Sequence, residues 1–109
     1  MIQNGNNEAL IQEACERLHR AFGPCDVFLY GSHAYGTPGS GSDIDLLVVV
    51  ESSLDDPYTR DAQAYKALAG LRVAKDVQVY TREEFEKRAA LPVSFERTVK
   101  SKGKLLRVA

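Results

Sequence analysis

The chain has 109 residues, 44% of them apolar and 27% charged, with a formal net charge of −1. That length holds one hydrophobic core rather than two, so a single domain over residues 1–109 is expected, with the balance of an ordinary soluble globular protein. Near-neutral charge with scattered Lys and Arg argues against a surface that grips nucleic acid by itself, because such binding rests on neutralising phosphates.

No run approaches the roughly 20 apolar residues that span a bilayer. The opening "MIQNGNNEAL" has neither a basic nor an apolar leader region, and two cysteines without an export signal suggest a reduced cytoplasm. In chain order, Asn7 is placed to cap a helix over residues 8–22, with Leu10, Ala14, Leu18 and Ala21 at helical spacing. Gly23-Pro24 stops it. "DVFLY", 26–30, is a short apolar strand broken by Gly31.

Leu46 to Val50 form a second strand, apolar on both faces, which suggests a central place in a covered sheet. The loop between the two strands is compatible with either pairing sense. Asp56-Pro57 reads as a cap and first helical residue, opening a helix to about Ala69 with Tyr58, Ala62, Tyr65 and Leu68 or Ala69 inward. "DVQVY", 76–80, alternates as a strand with Val77 and Val79 on one face. Thr81 and Glu84 have capping-box spacing for a helix holding Phe85. A last helix carries Phe95 and Val99, closes at Gly103, and "KLLRV" follows as a strand or a loose end. The expectation is an α/β or α+β domain: a small sheet flanked by helices.

The chemistry lies in "GSHAYGTPGSGSDIDLLVVV", residues 31–50. Asp43 and Asp45 alternate along a strand and so project together while Ile44 packs behind. At about 5 Å and an effective dielectric near 20, two carboxylates repel by roughly 3 kcal/mol. A protonated pair or a bound cation would relieve this, and a hard divalent ion such as magnesium suits carboxylates plus phosphate oxygens. For an isolated DxD, a turn cap and a surface charge would be the better reading. Here Gly31-Ser32 precedes the pair and offers free backbone N–H groups and a hydroxyl to an anion. Neither a Walker loop nor an EF-hand fits, for lack of GK[ST] and of the final glutamate. "GTPGSGS", 36–42, reads as a flap beside the site. Asp76 opens a strand that can lie beside 46–50, where it could complete a second metal position and help deprotonate a hydroxyl.

Gly31-Ser32, ten intervening residues, Asp43-Ile44-Asp45-Leu46 and a later Asp76 together resemble the nucleotidyltransferase domain of the DNA polymerase beta superfamily. More narrowly, the chain looks like the minimal nucleotidyltransferases of prokaryotes. The resemblance implies a mixed sheet flanked by helices and an NTP bound with two Mg2+ ions. It implies metal binding and catalysis by Asp43, Asp45 and Asp76, and nucleotide binding by Gly31, Ser32 and Ser42. The implied reaction transfers NMP, AMP in the favoured case, from ATP or another NTP to a hydroxyl. Such minimal domains are often paired with a helical HEPN-domain partner as antitoxin and toxin, which implies adenylylation of that partner. A homo-oligomer is a further expectation.

One departure stands out. Tyr35 precedes Gly36 where many minimal members carry arginine, and tyrosine offers no charged fork to phosphate. His33 is expected to be a solvated loop residue. Three readings stay open: a transferase acting on a partner protein, a binding-only module with an idle site, and a transferase acting on a small molecule or RNA end.

Overall fold

The computed structural model describes the backbone of residues 3–35 and 43–107, and the side chains of 8–31, 33–34 and 43–107. The segment 36–42, including the expected flap and Ser42, lies outside the described residues. Helix α1 is Gln3–Phe22, strand β1 Cys25–Tyr30, the short helix α2 Ser32–Tyr35 and strand β2 Ile44–Val50. Helix α3 is Pro57–Ala67, strand β3 Lys75–Thr81, helix α4 Arg82–Ala89, helix α5 Phe95–Lys102 and strand β4 Lys104–Leu106.

The sheet order is β3-β2-β1-β4. Strand β1 runs antiparallel to both β2 and β4, whereas β2 and β3 are parallel, with α3 as the crossover. This mixed sheet carries helices on both faces, and β2 takes the central place that its unbroken apolar run implies. Along β2 the side chains alternate. Ile44, Leu46, Val48 and Val50 join Ala14, Cys15 and Leu18 of α1 and Ala64 of α3 in one cluster. Leu47 and Val49 join Tyr30, Phe85 and Val99 in the other. Phe85 anchors α4 there, stacked on Phe28 at 5.7 Å and edge-on to Tyr80 at 6.0 Å.

Several local expectations are met. Asp56 accepts from the Thr59 N–H at 2.7 Å ahead of Pro57. Thr81 and Glu84 form the reciprocal capping box. Gly103 closes α5.

Two expectations are corrected. The first helix starts at Gln3, so Asn7 lies inside it rather than capping it. Extending a formed helix is cheap beside nucleating one, even through Gly and Asn.

The inward face of α3 also differs. Arg60, Ala64 and Leu68 are buried, while Tyr58 and Tyr65 are 83% and 40% exposed and Ala62 is exposed. The stripe runs through an arginine whose guanidinium forks onto Glu84 of α4, with both bonds at 2.9 Å. A buried Arg paired through both terminal nitrogens, with its Nε left without a partner among the described residues, is an acceptable core residue because its stem is apolar, but hydropathy does not mark it as one.

Side chains of α3 and α4 cap the free edge of β3. The outward N–H groups at every second residue go to side chains rather than to another strand: Val77 to the Tyr65 hydroxyl at 3.2 Å, Val79 to Asp61 at 2.8 Å, Thr81 to Glu84 at 2.9 Å.

Candidate active site

Strand β1 ends at Tyr30, and Gly31 then turns the chain with φ +78° into α2, where Ala34 N–H bonds the Gly31 carbonyl at 3.0 Å. That φ is costly for any residue with a Cβ. Glycine has a second reason to be here: a Cβ would collide with the Asp45 Oδ2 oxygen. The sharp turn and the carboxylate thus share one spot.

Pairing sets the rest. Tyr30 lies opposite Asp45 in the β1–β2 ladder, and Asp45 lies beside Asp76 in the β2–β3 ladder. Neighbouring strands are about 4.8 Å apart, so Tyr30, Asp45 and Asp76 form a row across three strands. By the strand alternation this row shares the sheet face of Leu47 and Val49. Asp43 stands exposed just before β2, and Ile44 is buried behind it as expected.

The electrostatics single out Asp45. Its carboxyl is raised above the ordinary carboxylate range, first by burial, then by the charge of Asp76, then by that of Asp43, with His33 opposing. The neighbour across the strand therefore weighs more than the neighbour along it, although the sequence draws attention to the Asp43–Asp45 pair. Asp76 is held by two phenols: Tyr30 donates to Oδ2 at 3.3 Å and Tyr65 to Oδ1 at 3.1 Å. Gln78 donates to the Tyr30 oxygen at 3.2 Å. Phe95 packs edge-on against Tyr30 at 5.0 Å.

The structure thus brings Gly31, Asp45 and Asp76 together, with Asp43 close enough for its charge to act on Asp45. Ser32 opens α2, and Ser42 lies outside the described residues. His33 departs from expectation. Its two ring nitrogens are buried, with no hydrogen-bond partner among the described residues, rather than solvated. Sequence reasoning missed Tyr30 and Tyr65. Tyr30 read as the end of an apolar strand and Tyr65 as a core residue, and only the strand register discloses their hydroxyl partners.

Among the described residues no group of three His, Cys, Asp or Glu side chains stands ready to hold one ion as placed. The donor set nonetheless suits a hard divalent cation. It is all carboxylate, and Asp45 carries two like charges as neighbours with no basic side chain bonded to it among the described residues.

A mixed sheet between helices, with a Gly-Ser turn closing on carboxylates drawn from adjacent strands, defines a polymerase beta-like nucleotidyltransferase fold. The family model described as "Nucleotidyltransferase domain" matches residues 9–106, and the chain belongs to that family. Comparison with curated proteins and with solved structures gave no match. Among the described residues no helix is long and apolar enough to cross a membrane.

Proposed function

We propose that this domain transfers NMP from an NTP, ATP in the favoured case, to a hydroxyl of a partner protein. In the transfer, the acceptor oxygen bonds to the α-phosphorus while the bond from that phosphorus to the bridging oxygen breaks. Pyrophosphate leaves, and the hydroxyl proton passes to the Asp76 carboxylate. Gly31 and Ser32, with Ser42, would hold the phosphates through backbone N–H groups and hydroxyls. Asp43 and Asp45, with Asp76 on the acceptor side, would hold two Mg2+ ions, whose charge would offset that of the phosphates.

The observation that carries this reading is Asp45, crowded between the Gly31 backbone and the charges of Asp76 and Asp43. A proton or a bound cation relieves such crowding, and the all-carboxylate donor set favours a hard cation. A protein acceptor is supported by apolar surface near the site. Phe95, which packs on Tyr30, is 41% exposed, and Val93 just before it is 92% exposed. A helical partner of the HEPN kind, held as antitoxin to toxin in the cytoplasm, would suit it. A binding-only module is the second reading, favoured by Tyr35 in the place where a phosphate-binding arginine is expected.

The test is label transfer in source-cell lysate with magnesium, comparing α- and γ-labelled ATP and using Asp43→Asn as control. Label from the α position alone, dependent on Asp43 and lost on protease treatment, supports the proposal. An RNase-sensitive product shifts it to an RNA acceptor. Label from neither position, with all four NTPs tried, overturns it in favour of the binding-only module.

A further inference from the structure

We infer that Tyr65, on α3, is a positioning residue that fixes the Asp76 carboxylate together with Tyr30. The inference rests on the reading of Asp76 as the group facing the acceptor hydroxyl.

The proton bookkeeping of the two phenols supports it. A tyrosine hydroxyl has one proton to give and can accept in return. The Tyr65 oxygen receives the Val77 backbone N–H at 3.2 Å, a group that can only donate, so the proton of Tyr65 is left for Asp76 Oδ1 at 3.1 Å. The Tyr30 oxygen likewise receives the Gln78 amide at 3.2 Å and gives its proton to Asp76 Oδ2 at 3.3 Å.

Each carboxylate oxygen is thereby held by one phenol and has a second lone pair besides. The two phenols approach from opposite directions in the fold. Tyr30 comes from the neighbouring side of the sheet, locked in the core, and Tyr65 from a helix outside the free edge. Without Tyr65, one end of the carboxylate would be loose.

A structural alternative is at hand, because Tyr65 also caps the β3 edge. Asp61 supplies the control: it caps Val79 at 2.8 Å in the same manner but makes no bond to Asp76. Tyr65→Phe and Asp61→Ala each remove one edge cap from the full chain, and only the first releases Asp76. Tyr65 is 40% exposed, so the phenylalanine variant should fold, as circular dichroism would verify.

Two readouts decide. Three-bond couplings to the Asp76 13Cγ report its side-chain rotamer without any substrate. A single rotamer is expected in the wild type and in Asp61→Ala, and averaging in Tyr65→Phe. In the lysate assay, the transfer rate at saturating ATP should fall roughly tenfold in Tyr65→Phe, the low end for losing a hydrogen bond to a charged group. The KM for ATP should stay unchanged. An unaltered Asp76 rotamer in Tyr65→Phe, or equal effects of the two variants, overturns the inference. If the wild type transfers no label, the proposed reaction falls, and the couplings still decide the positioning.

Discussion

Replacing Gly31 by alanine separates the site's demand on glycine from the backbone's. Gly23, Gly31 and Gly70 all have positive φ, at 75°, 78° and 91°. An L-residue in that region costs about 1–2 kcal/mol, so all three alanine variants should lose roughly 5–15 °C in Tm. A Cβ at Gly23 or Gly70 would meet nothing within 4 Å, whereas at Gly31 it would run into Asp45 Oδ2 and stand 3.5 Å from the Asp45 Cβ. The carboxylate has to rotate away, adding about 1 kcal/mol of off-rotamer strain and moving it by an ångström or so. A displacement of that size in a reacting group costs on the order of 100-fold in rate. Melting curves and α-label transfer should therefore diverge: all three variants lose Tm, Gly31→Ala by roughly 4–8 °C more than the others, but transfer is lost only in Gly31→Ala. Transfer by Gly31→Ala at the rate of Gly23→Ala and Gly70→Ala would refute the steric reasoning.

Other variants test the electrostatics and the caps. Asp45 has a raised folded-state pKa, so the folded protein binds the extra proton and stability falls as pH rises from about the ordinary value of 3.8 through the folded one. Asp45→Asn should accordingly melt higher than wild type at pH 7 in EDTA and not at pH 3, while magnesium should raise the Tm of the wild type only. Glu84 is lowered by its bonds to Arg60, so its contribution is present above about 4.5, the ordinary value, and is lost as pH falls through the folded value. Breaking a buried pair costs about 3–5 kcal/mol, but Glu84 is 44% exposed, which reduces the expectation for Glu84→Gln to about 2 kcal/mol. Urea denaturation should show that loss at pH 7, with the two proteins converging in acid. Ser94→Ala removes the α5 cap, which accepts from Arg97 N–H at 3.0 Å and donates to the Arg88 carbonyl at 2.8 Å. It should cost about 1 kcal/mol in the same assay.

What the sequence discloses is what is local. The two-residue period that sends Asp43 and Asp45 to one side, the stops at Gly23 and Gly31 and the capping box at Thr81 need only a few neighbouring residues. Asp76 is reached by strand order, and in the parallel β2–β3 register it lies beside Asp45. Tyr65 and Arg60 are different. Each owes its role to a partner on another element, Asp76 on β3 and Glu84 on α4, and a helical stripe scored on hydropathy assigns both to the wrong side. The Gly-Ser turn shows another limit. The sequence suggests a phosphate cradle there, but that glycine is also required by a carboxylate on the next strand is visible only once β1 and β2 are paired.

The covered edge of β3 bears on self-association. A strand-by-strand polymer needs two open edges on every subunit, one to receive and one to offer. With the outward N–H groups at Val77, Val79 and Thr81 given to side chains, the β3 edge has fewer donors left for an incoming strand, and the opposite edge of the described sheet is the three-residue β4. Growth of a fibre strand by strand through β3 is thereby disfavoured.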